Sequence, residues 1–262
     1  MNSQGMVTLL TDFGRQDVYV GVMKGVIASI NPHLQVIDLT HEIPPQNIAA
    51  ARFCLLNAYS YFPSHTVHIA VVDPGVGSQR RSVAIAFEDG LIVCPDNGLC
   101  SGVLQEKPAI AAVELTNARY WRTANPSSTF HGRDIFAPVG AHLASGVALT
   151  ALGNEIDPDS LIKLSLPRLQ RGEREIIGCI QYIDHFGNLI SNIPGKLISN
   201  QSWQAEVKNL TIVSGNTYSD VASGETIAIV GSHGWIEIAV NGGNARQKLQ
   251  LMLESKIKIK FI

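Results

Sequence analysis

The chain has 262 residues, of which 45% are hydrophobic and 16% are charged, and its formal net charge is -2. This length allows one large domain or two unequal ones, and so few charges argue against long disordered segments. The small net charge, together with the lack of a basic cluster interleaved with aromatic residues, argues against nucleic acid as a partner. The composition therefore indicates a packed globular protein.

Cysteine usage and hydropathy indicate the compartment. The four cysteines are scattered among apolar residues without a Cys-x-x-Cys pair, which favours small buried thiols over disulfides or zinc ligands. The first ten residues lack the basic and apolar regions of a secretory signal, and no run of about 18 apolar residues occurs. We therefore expect a cytoplasmic protein that does not span a membrane.

The first half of the chain alternates β-branched runs with helical patterns. The order is MVTLLTDF, VYVGVMKGVIASI, LQVIDLT, NIAAARFCLLNAYSYF and TVHIAVVDPG, where the second and fourth segments are the helical ones. A hairpin around Asp89-Gly90, the strand AAVELT and the helix RDIFAPVGAHLASG follow. This alternation predicts an α/β domain with a mostly parallel sheet flanked by helices.

The second half has a different pattern. The connector LPRLQRGERE precedes short strands with Gly and Asn turns, namely IIGCIQYIDHFGNLISNI, AEVKNLTIV, ETIAIVGSHGWIEIAVNGG and KIKIKFI. Such a pattern predicts a smaller all-β barrel. We place the N-terminal α/β domain at residues 1–166 and the C-terminal β-barrel domain at residues 167–262.

Acidic residues stand near the carboxyl ends of three predicted strands. These are Asp12, Asp38 and Asp73, and ligands of open α/β sheets bind at that edge. In TDFG, the Asp12 carboxylate is placed to accept hydrogen bonds from a ribose diol, or else to cap a helix. Asp17, three residues before Val20, is a candidate N-cap for the helix that follows.

Two further segments carry candidate catalytic groups. In VVDPGVGSQRR, a Gly-rich loop can return the Arg80 guanidinium to the Asp73 carboxylate, although an ordinary turn with solvated arginines fits the same residues. In SSTFHGRD, His131 stands between an aromatic residue and a glycine, where an imidazole can exchange a proton with water. A packing role for this lone histidine is the alternative.

Metal ligation is not expected. The best candidates are His65-x-x-His68 beside Asp73, and His131-x-x-Asp134. Both lack a third and fourth ligand at recognisable spacing.

Five segments, taken together, carry a family resemblance. They are TDFG at 11–14, DPGVG at 73–77 with Arg80, PDNG at 95–98, TFHGRD at 129–134 and DHFGN at 184–188. In this order, over nearly the full length, they resemble the S-adenosylmethionine (SAM) hydroxide adenosyltransferases, adenosine-forming hydrolases related to fluorinase and chlorinase. The resemblance implies an α/β domain, a β-barrel and a homotrimer, with each active site between one subunit's first domain and its neighbour's second.

The implied reaction is hydrolysis of SAM to adenosine and L-methionine, with SAM as substrate and no cofactor. Asp73, Arg80 and His131 match the family's water-organising set, and either Asp73 or His131 can take the proton. The halogenase branch carries a tyrosine in place of Asp73, which favours hydroxide over halide as the nucleophile. A chlorinase- or fluorinase-like halogenase, and a SAM- or adenosine-binding protein without catalysis, are the alternatives.

The resemblance also implies a set of substrate contacts. They are Asp12 for the ribose hydroxyls, Phe130 beside the catalytic set, Asp184 and Ser232 for the amino-acid end of methionine, and Asn188 for the adenine. His233 departs from the arginine found in fluorinase, so no role is assigned to it.

Overall fold

The computed structural model describes residues 5–198 and 201–262. The chain divides into two compact units, of which the first ends at Leu164 and the second begins at Ser165. All four cysteines are free thiols, three of them buried and Cys54 half-buried, in agreement with the sequence-based expectation. Among the described residues, no helix has the length and apolar character needed to cross a membrane.

The first unit is one mixed sheet with α-helices packed on it. Its strands are β1 (Met6–Thr11), β2 (Gln35–Thr40), β3 (Thr66–Val71), β4 (Ser82–Ala86), β5 (Gly90–Pro95), β6 (Ala111–Glu114) and β7 (Asn154–Ile156). Its α-helices are α1 (Tyr19–Ile30), α2 (Ile48–Tyr59), α3 (Ser101–Glu106) and α4 (Ala137–Ala144). The predicted α/β class is confirmed, and the short elements α3 and β7 are additional to those that the sequence predicted.

The strand order is β2-β1-β3-β5-β4-β6-β7. The pairs β1–β2, β1–β3 and β3–β5 are parallel, whereas β4–β5, β4–β6 and β6–β7 are antiparallel. The change of direction follows from the β4–β5 hairpin, because a connection this short joins only antiparallel strands. The parallel half has its carboxyl ends at one edge, where β1 and β3 lead into Asp12 and Asp73.

Helix α4 lies close to the centre of this sheet. Every residue of β3 is buried, as expected for a parallel strand covered on both faces. A Cβ at Gly140 of α4 would lie 2.3 Å from Cδ1 of Ile69 in β3, so a larger residue would require the Ile69 side chain or the helix to move. The contact fixes the height of α4, and of the turn before it, against the strand that leads to Asp73.

Helices α1 and α2 begin in different ways. Asn47 caps α2, because its side chain accepts a hydrogen bond from the Ala50 amide at 2.9 Å. Helix α1 begins after Val18, which provides no side-chain cap. The prediction that Asp17 caps this helix is therefore wrong, because the chain enters the helical conformation one residue later and leaves the Asp17 side chain exposed.

The second unit is a nearly closed antiparallel barrel, as predicted. Its strands are β8 (Gln170–Arg171), β9 (Glu175–Ile183), β10 (Leu189–Pro194), β11 (Trp203–Val207), β12 (Leu210–Val213), β13 (Thr226–Val230), β14 (Trp235–Val240) and β15 (Lys256–Phe261), with one short helix α5 (Ala245–Leu249). The order is β12-β11-β15-β9-β10-β14-β13, with β8 paired to β9. A bridge between Ser214 and Ala228 joins the two end strands. Closing a sheet in this way removes its exposed edges.

Candidate active site

A cavity of about 380 Å³ lies in the first unit, at the edge where β1 and β3 end. This volume is within the range of pockets that hold small ligands. Its lining includes four of the residues singled out from the sequence, namely Asp12, Asp73, Phe130 and His131. The structure thus brings together side chains that are far apart in the chain.

Asp73 and Arg80 form a nearly buried ion pair beside this cavity. Nη2 of Arg80 donates to Oδ2 of Asp73 at 2.5 Å, and Nε lies 3.0 Å from each carboxylate oxygen. Nη1 donates to the Ser82 hydroxyl at 2.6 Å. The side chains are only 5% and 10% exposed, so water screens the pair poorly. The Gly-rich loop therefore returns the guanidinium to the carboxylate, as the spacing suggested.

His131 is the third member of the cluster. Its Nδ1 lies 2.7 Å from Nη2 of Arg80. A guanidinium only donates hydrogen bonds, so Nδ1 must be the acceptor and the proton of the neutral ring is on Nε2. Burial, and then the positive charge of Arg80, lower the pKa of His131, while the carboxylates of Asp73 and Asp134 partly offset this. The ring is thus held neutral, with a defined tautomer.

A π-helical turn over Gly132–Phe136 begins directly after His131 and leads into α4. Within it, the fully buried Asp134 accepts hydrogen bonds from Arg122, Arg133 and the Ser127 amide. Burial alone would raise the pKa of Asp134, but these hydrogen bonds and the charge of Arg133 bring it well below the ordinary value. Asp134 therefore stays charged and fastens the segment that carries His131. Single π-helical turns are frequent at functional sites.

Gly77 brings the Asp73–Arg80 loop against the segment that carries His131. Its φ is +77°, a left-handed conformation that favours glycine. A Cβ at this position would lie 2.3 Å from the carbonyl oxygen of Ser128. The two segments therefore touch by their backbones, and this contact lets the Arg80 guanidinium reach the His131 ring.

Asp12 directly follows β1 at the same edge. Its Oδ2 accepts a hydrogen bond from the Gln46 amide at 2.7 Å, which orients the carboxylate and leaves Oδ1 for another donor. Two hydrogen bonds hold the turn. The Phe13 amide donates to the Thr11 hydroxyl, and the Gly14 amide donates to the His41 carbonyl. Gly14 has a φ of +67°, and a Cβ at this position would have no other atom within 4 Å.

Three aromatic rings form one wall of the cavity. Phe13, Tyr19 and Phe130 contact one another with centroid separations of 5.3 to 5.9 Å and tilted or edge-on geometry. Only Phe130 was predicted as a site residue. Phe13 could have been predicted as a site residue because it lies inside the TDFG motif. Tyr19 and Gln46 lie in no motif that marks them as site residues.

The candidate metal ligands are engaged in other contacts. Nδ1 of the buried His68 pairs with the Thr8 hydroxyl at 2.8 Å, and Asp134 is held by two arginines. Burial lowers the pKa of His68 to about 4, with partial opposition from Asp89. Across residues 5–198 and 201–262, no group of three or more His, Cys, Asp and Glu residues is arranged to hold a metal ion.

Asp184 and Asn188 lie in the β9–β10 turn of the second unit. Oδ1 of Asp184 accepts from the Asn188 amide at 2.8 Å, and Oδ2 accepts from Nδ2 of Asn188 at 2.9 Å. The carboxylate thereby fixes the Asn188 side chain and leaves its Oδ1 as an acceptor. A small concavity beside the pair is lined by Asp184, Gly187, Asn244 and Arg246, among others.

Ser232 is exposed in the β13–β14 turn, next to His233. The His233 ring is directed inward. Its Nδ1 accepts from the Trp235 amide at 3.1 Å, and its Nε2 contacts Oε2 of the buried Glu237 at 2.8 Å. His233 therefore fixes the shape of the turn that presents Ser232.

These features define a class: an α/β protein with a ligand-sized cavity at the carboxyl edge of its strands and a buried Asp-Arg-His cluster on the cavity wall. Residues 7–153 match the SAM hydroxide adenosyltransferase N-terminal domain, and residues 178–258 match the C-terminal domain of the same family. The chain belongs to the SAM hydroxide adenosyltransferase family.

Individual relatives agree with this assignment. An (R)-S-adenosyl-L-methionine hydrolase from Salinispora tropica is 39% identical over 97% of each chain. A fluorinase from Actinoplanes sp. is 27% identical over 73% of this chain and 72% of its own. The crystal structure of an uncharacterized conserved protein from Thermotoga maritima superposes with a TM-score of 0.91 at 37% identity, covering 97% of this chain and all of the other.

Proposed function

We propose that this protein hydrolyses SAM to adenosine and L-methionine, by in-line attack of water on C5′ of the adenosyl group. The observation that carries the proposal is the contact of Asp73, Arg80 and His131 on the wall of one cavity. The relatives suggest the substrate class, since the SAM hydrolase from Salinispora tropica is 39% identical to this chain and the fluorinase from Actinoplanes sp. is 27% identical.

The leaving group of this reaction does not need to be protonated. The sulfonium makes C5′ electrophilic, the C5′–S bond breaks with its electron pair going to sulfur, and methionine leaves as a neutral thioether. The protein must hold a water molecule in line with that bond and take up the proton that the water loses. A positioned acceptor for this proton typically contributes ~10² to 10⁴ in rate.

The tautomer of His131 supports Asp73 as the acceptor of this proton. His131 already carries a proton on Nε2, and its Nδ1 is occupied by Arg80, so the ring cannot accept another proton without losing that contact. Nε2–H is instead suited to donate to the water oxygen and orient it. Asp73 keeps acceptor capacity on Oδ1, which receives only the Nε contact from Arg80. The new C5′–O bond forms as Asp73 takes the proton, and the Arg80 charge stabilises the developing hydroxide.

The remaining cavity groups suit the adenosyl part of SAM. The free Oδ1 of Asp12 is an acceptor for ribose hydroxyls, and the aromatic wall formed by Phe13, Tyr19 and Phe130 offers apolar surface to the ligand. Ring faces also attract cations, which suits a sulfonium. Asn188, Asp184 and Ser232 are proposed for adenine and for the amino-acid end of methionine, as the family resemblance implies.

The test is to incubate the purified protein with SAM and separate the products by chromatography. The wild type is expected to release adenosine and methionine. Asp73→Asn and His131→Ala should fold and bind adenosine, yet release adenosine ~10² to 10⁴ times more slowly. Asp159→Asn, at a side chain that is 91% exposed, is the matched control and should react at the wild-type rate.

Each other result contradicts the proposal in a distinct way. A 5′-halo-adenosine formed with chloride or fluoride identifies a halogenase, and binding of SAM without turnover identifies a binding protein. Unchanged turnover in both Asp73→Asn and His131→Ala refutes the catalytic assignment.

A cytoplasmic location, no resident cofactor and a homotrimeric assembly also belong to the proposal. The support for the trimer is the family resemblance, which pairs one subunit's first domain with its neighbour's second. Light scattering on the purified protein tests it, with three times the 28.3 kDa chain mass as the expected result.

A further inference from the structure

The Asp73–Arg80 loop is held at its first end by a side chain that does not reach the cavity. Val72 follows β3 and is fully buried, and its carbonyl accepts a hydrogen bond from Nδ2 of Asn97 at 2.9 Å. Oδ1 of Asn97 accepts from the Leu99 amide at 3.2 Å, which fixes the amide orientation. Asn97 therefore holds the residue immediately before Asp73.

The same PDNG turn holds the other end of the loop. The Asp96 amide donates to the Arg81 carbonyl at 3.0 Å, and Oδ2 of Asp96 accepts from Nε and Nη2 of Arg81 at 2.9 and 2.6 Å. Oδ1 of Asp96 accepts from the Ile162 amide at 2.8 Å. Asp96 is thus committed on both oxygens, and it holds the residue immediately after Arg80.

We propose that Asn97 and Asp96 are positioning residues for the Asp73–Arg80 pair. The loop between them contains Gly75 and Gly77, and glycine gives a chain little rigidity of its own. Contacts inside the loop and the backbone contact at Gly77 hold its middle, and the PDNG turn holds both of its ends. A reacting group displaced by about 1 Å loses roughly 10²-fold in rate, so these distant contacts matter for turnover. This inference rests on the proposed hydrolysis.

Asn97→Asp is the sharpest substitution. It keeps the side-chain shape and the acceptor for the Leu99 amide, but it replaces the donor to the Val72 carbonyl by an oxygen that repels it. The chain offers a matched control in Asn117, whose Nδ2 donates to the Ala151 carbonyl at 2.8 Å and whose Oδ1 accepts from the Arg119 amide at 3.2 Å. Asn117→Asp makes the same chemical change away from the cavity.

The expected result separates positioning from stability. Both variants should lower the melting temperature by a similar amount. Only Asn97→Asp should lower kcat, by about 10- to 100-fold, with KM within about threefold of the wild type. Equal kcat values for Asn97→Asp and Asn117→Asp would overturn the inference. If Asn97→Asp does not fold, Asp96→Asn, which weakens the hold on Arg81, is judged by the same comparison.

A second readout does not depend on hydrolysis. Nitrogen NMR of labelled histidine reports whether Nδ1 of His131 still accepts from Arg80. Its resonance should shift in Asn97→Asp and stay in place in Asn117→Asp, and an unshifted resonance in both overturns the inference. A wild type that releases no adenosine would refute the proposed function alone, because this readout still tests the positioning.

Discussion

The two units each contain a histidine followed by glycine, and the two rings share a tautomer but not a role. Nδ1 of His131 accepts from the Arg80 guanidinium at 2.7 Å, and Nδ1 of His233 accepts from the Trp235 amide at 3.1 Å. In both rings the proton is therefore on Nε2. The two histidines differ in the group that the Nε2 proton contacts.

His233 uses its Nε2 proton inside the protein. It contacts the buried Glu237 carboxylate at 2.8 Å, and the Tyr218 hydroxyl donates to the same carboxylate at 2.7 Å. Burial, followed by the hydrogen bond to Glu237, raises the pKa of Tyr218 to about 12, so the phenol remains a donor. His131, in contrast, lines the cavity, and within the described part of the chain its Nε2 forms no hydrogen bond with a protein group. The second partner of an imidazole, rather than its tautomer, therefore decides whether it serves structure or a ligand.

Among the variants that test this comparison of the two histidines, the largest effect is expected from removing the donor that fixes the His131 tautomer. Arg80→Lys replaces a planar fork by a single ammonium, which cannot contact Asp73, Ser82 and His131 together. We expect kcat to fall by about 10² to 10³, comparable to the loss of one transition-state hydrogen-bond donor. Steady-state kinetics measures this, with Arg119→Lys at an exposed side chain as the control. A kcat within about twofold of the wild type would show that the Arg80 contact with His131 is not needed for turnover.

A smaller effect is expected at the other histidine. His233→Ala leaves the buried Glu237 with one donor fewer and loosens the turn that carries Ser232. We expect a lower melting temperature and a KM for SAM raised by about tenfold, with kcat within about threefold. A fall in kcat with unchanged KM would instead place His233 among the catalytic groups.

The smallest effect concerns pH. The proposed mechanism uses the neutral form of His131, and burial and the Arg80 charge lower its pKa below the ordinary value of 6.5. A lowered pKa means that the ring becomes charged only at more acidic pH, so activity should persist down to pH 6.5 and fall below it. The profile of kcat/KM against pH measures this. An acid limb centred above pH 6.5 would show that the Arg80 contact does not hold the ring neutral.

Local patterns predicted the fold well and the site in part. The positions of Asp12 and Asp73 followed from strands that end at one edge of a parallel sheet. The return of Arg80 to Asp73 followed from a short Gly-rich loop. Each of these predictions relates a residue to the strand or loop next to it in the sequence.

The rest depends on contacts that no single segment contains. His131 reaches Arg80, 51 positions earlier, only because α4 packs on β3 at Gly140 and a π-helical turn precedes it. The family resemblance joined these residues, and their spacing alone could not. The directions of β6 and β7 were likewise hidden, because alternation does not report which way a strand runs. His131 and His233, each followed by glycine, look alike in sequence and differ only in the tertiary groups around them.

The backbone contact at Gly77 also limits how this site can vary by mutation. Gly77 and Gly14 both have positive φ, but a side chain at Gly14 would extend into open space, whereas one at Gly77 would collide with the Ser128 carbonyl at 2.3 Å. Asparagine and aspartate tolerate the left-handed conformation and suit position 14. At position 77 every replacement must separate the two segments. A substitution at Gly77 therefore displaces backbone beside the site, whereas one at Gly14 meets no neighbouring atom.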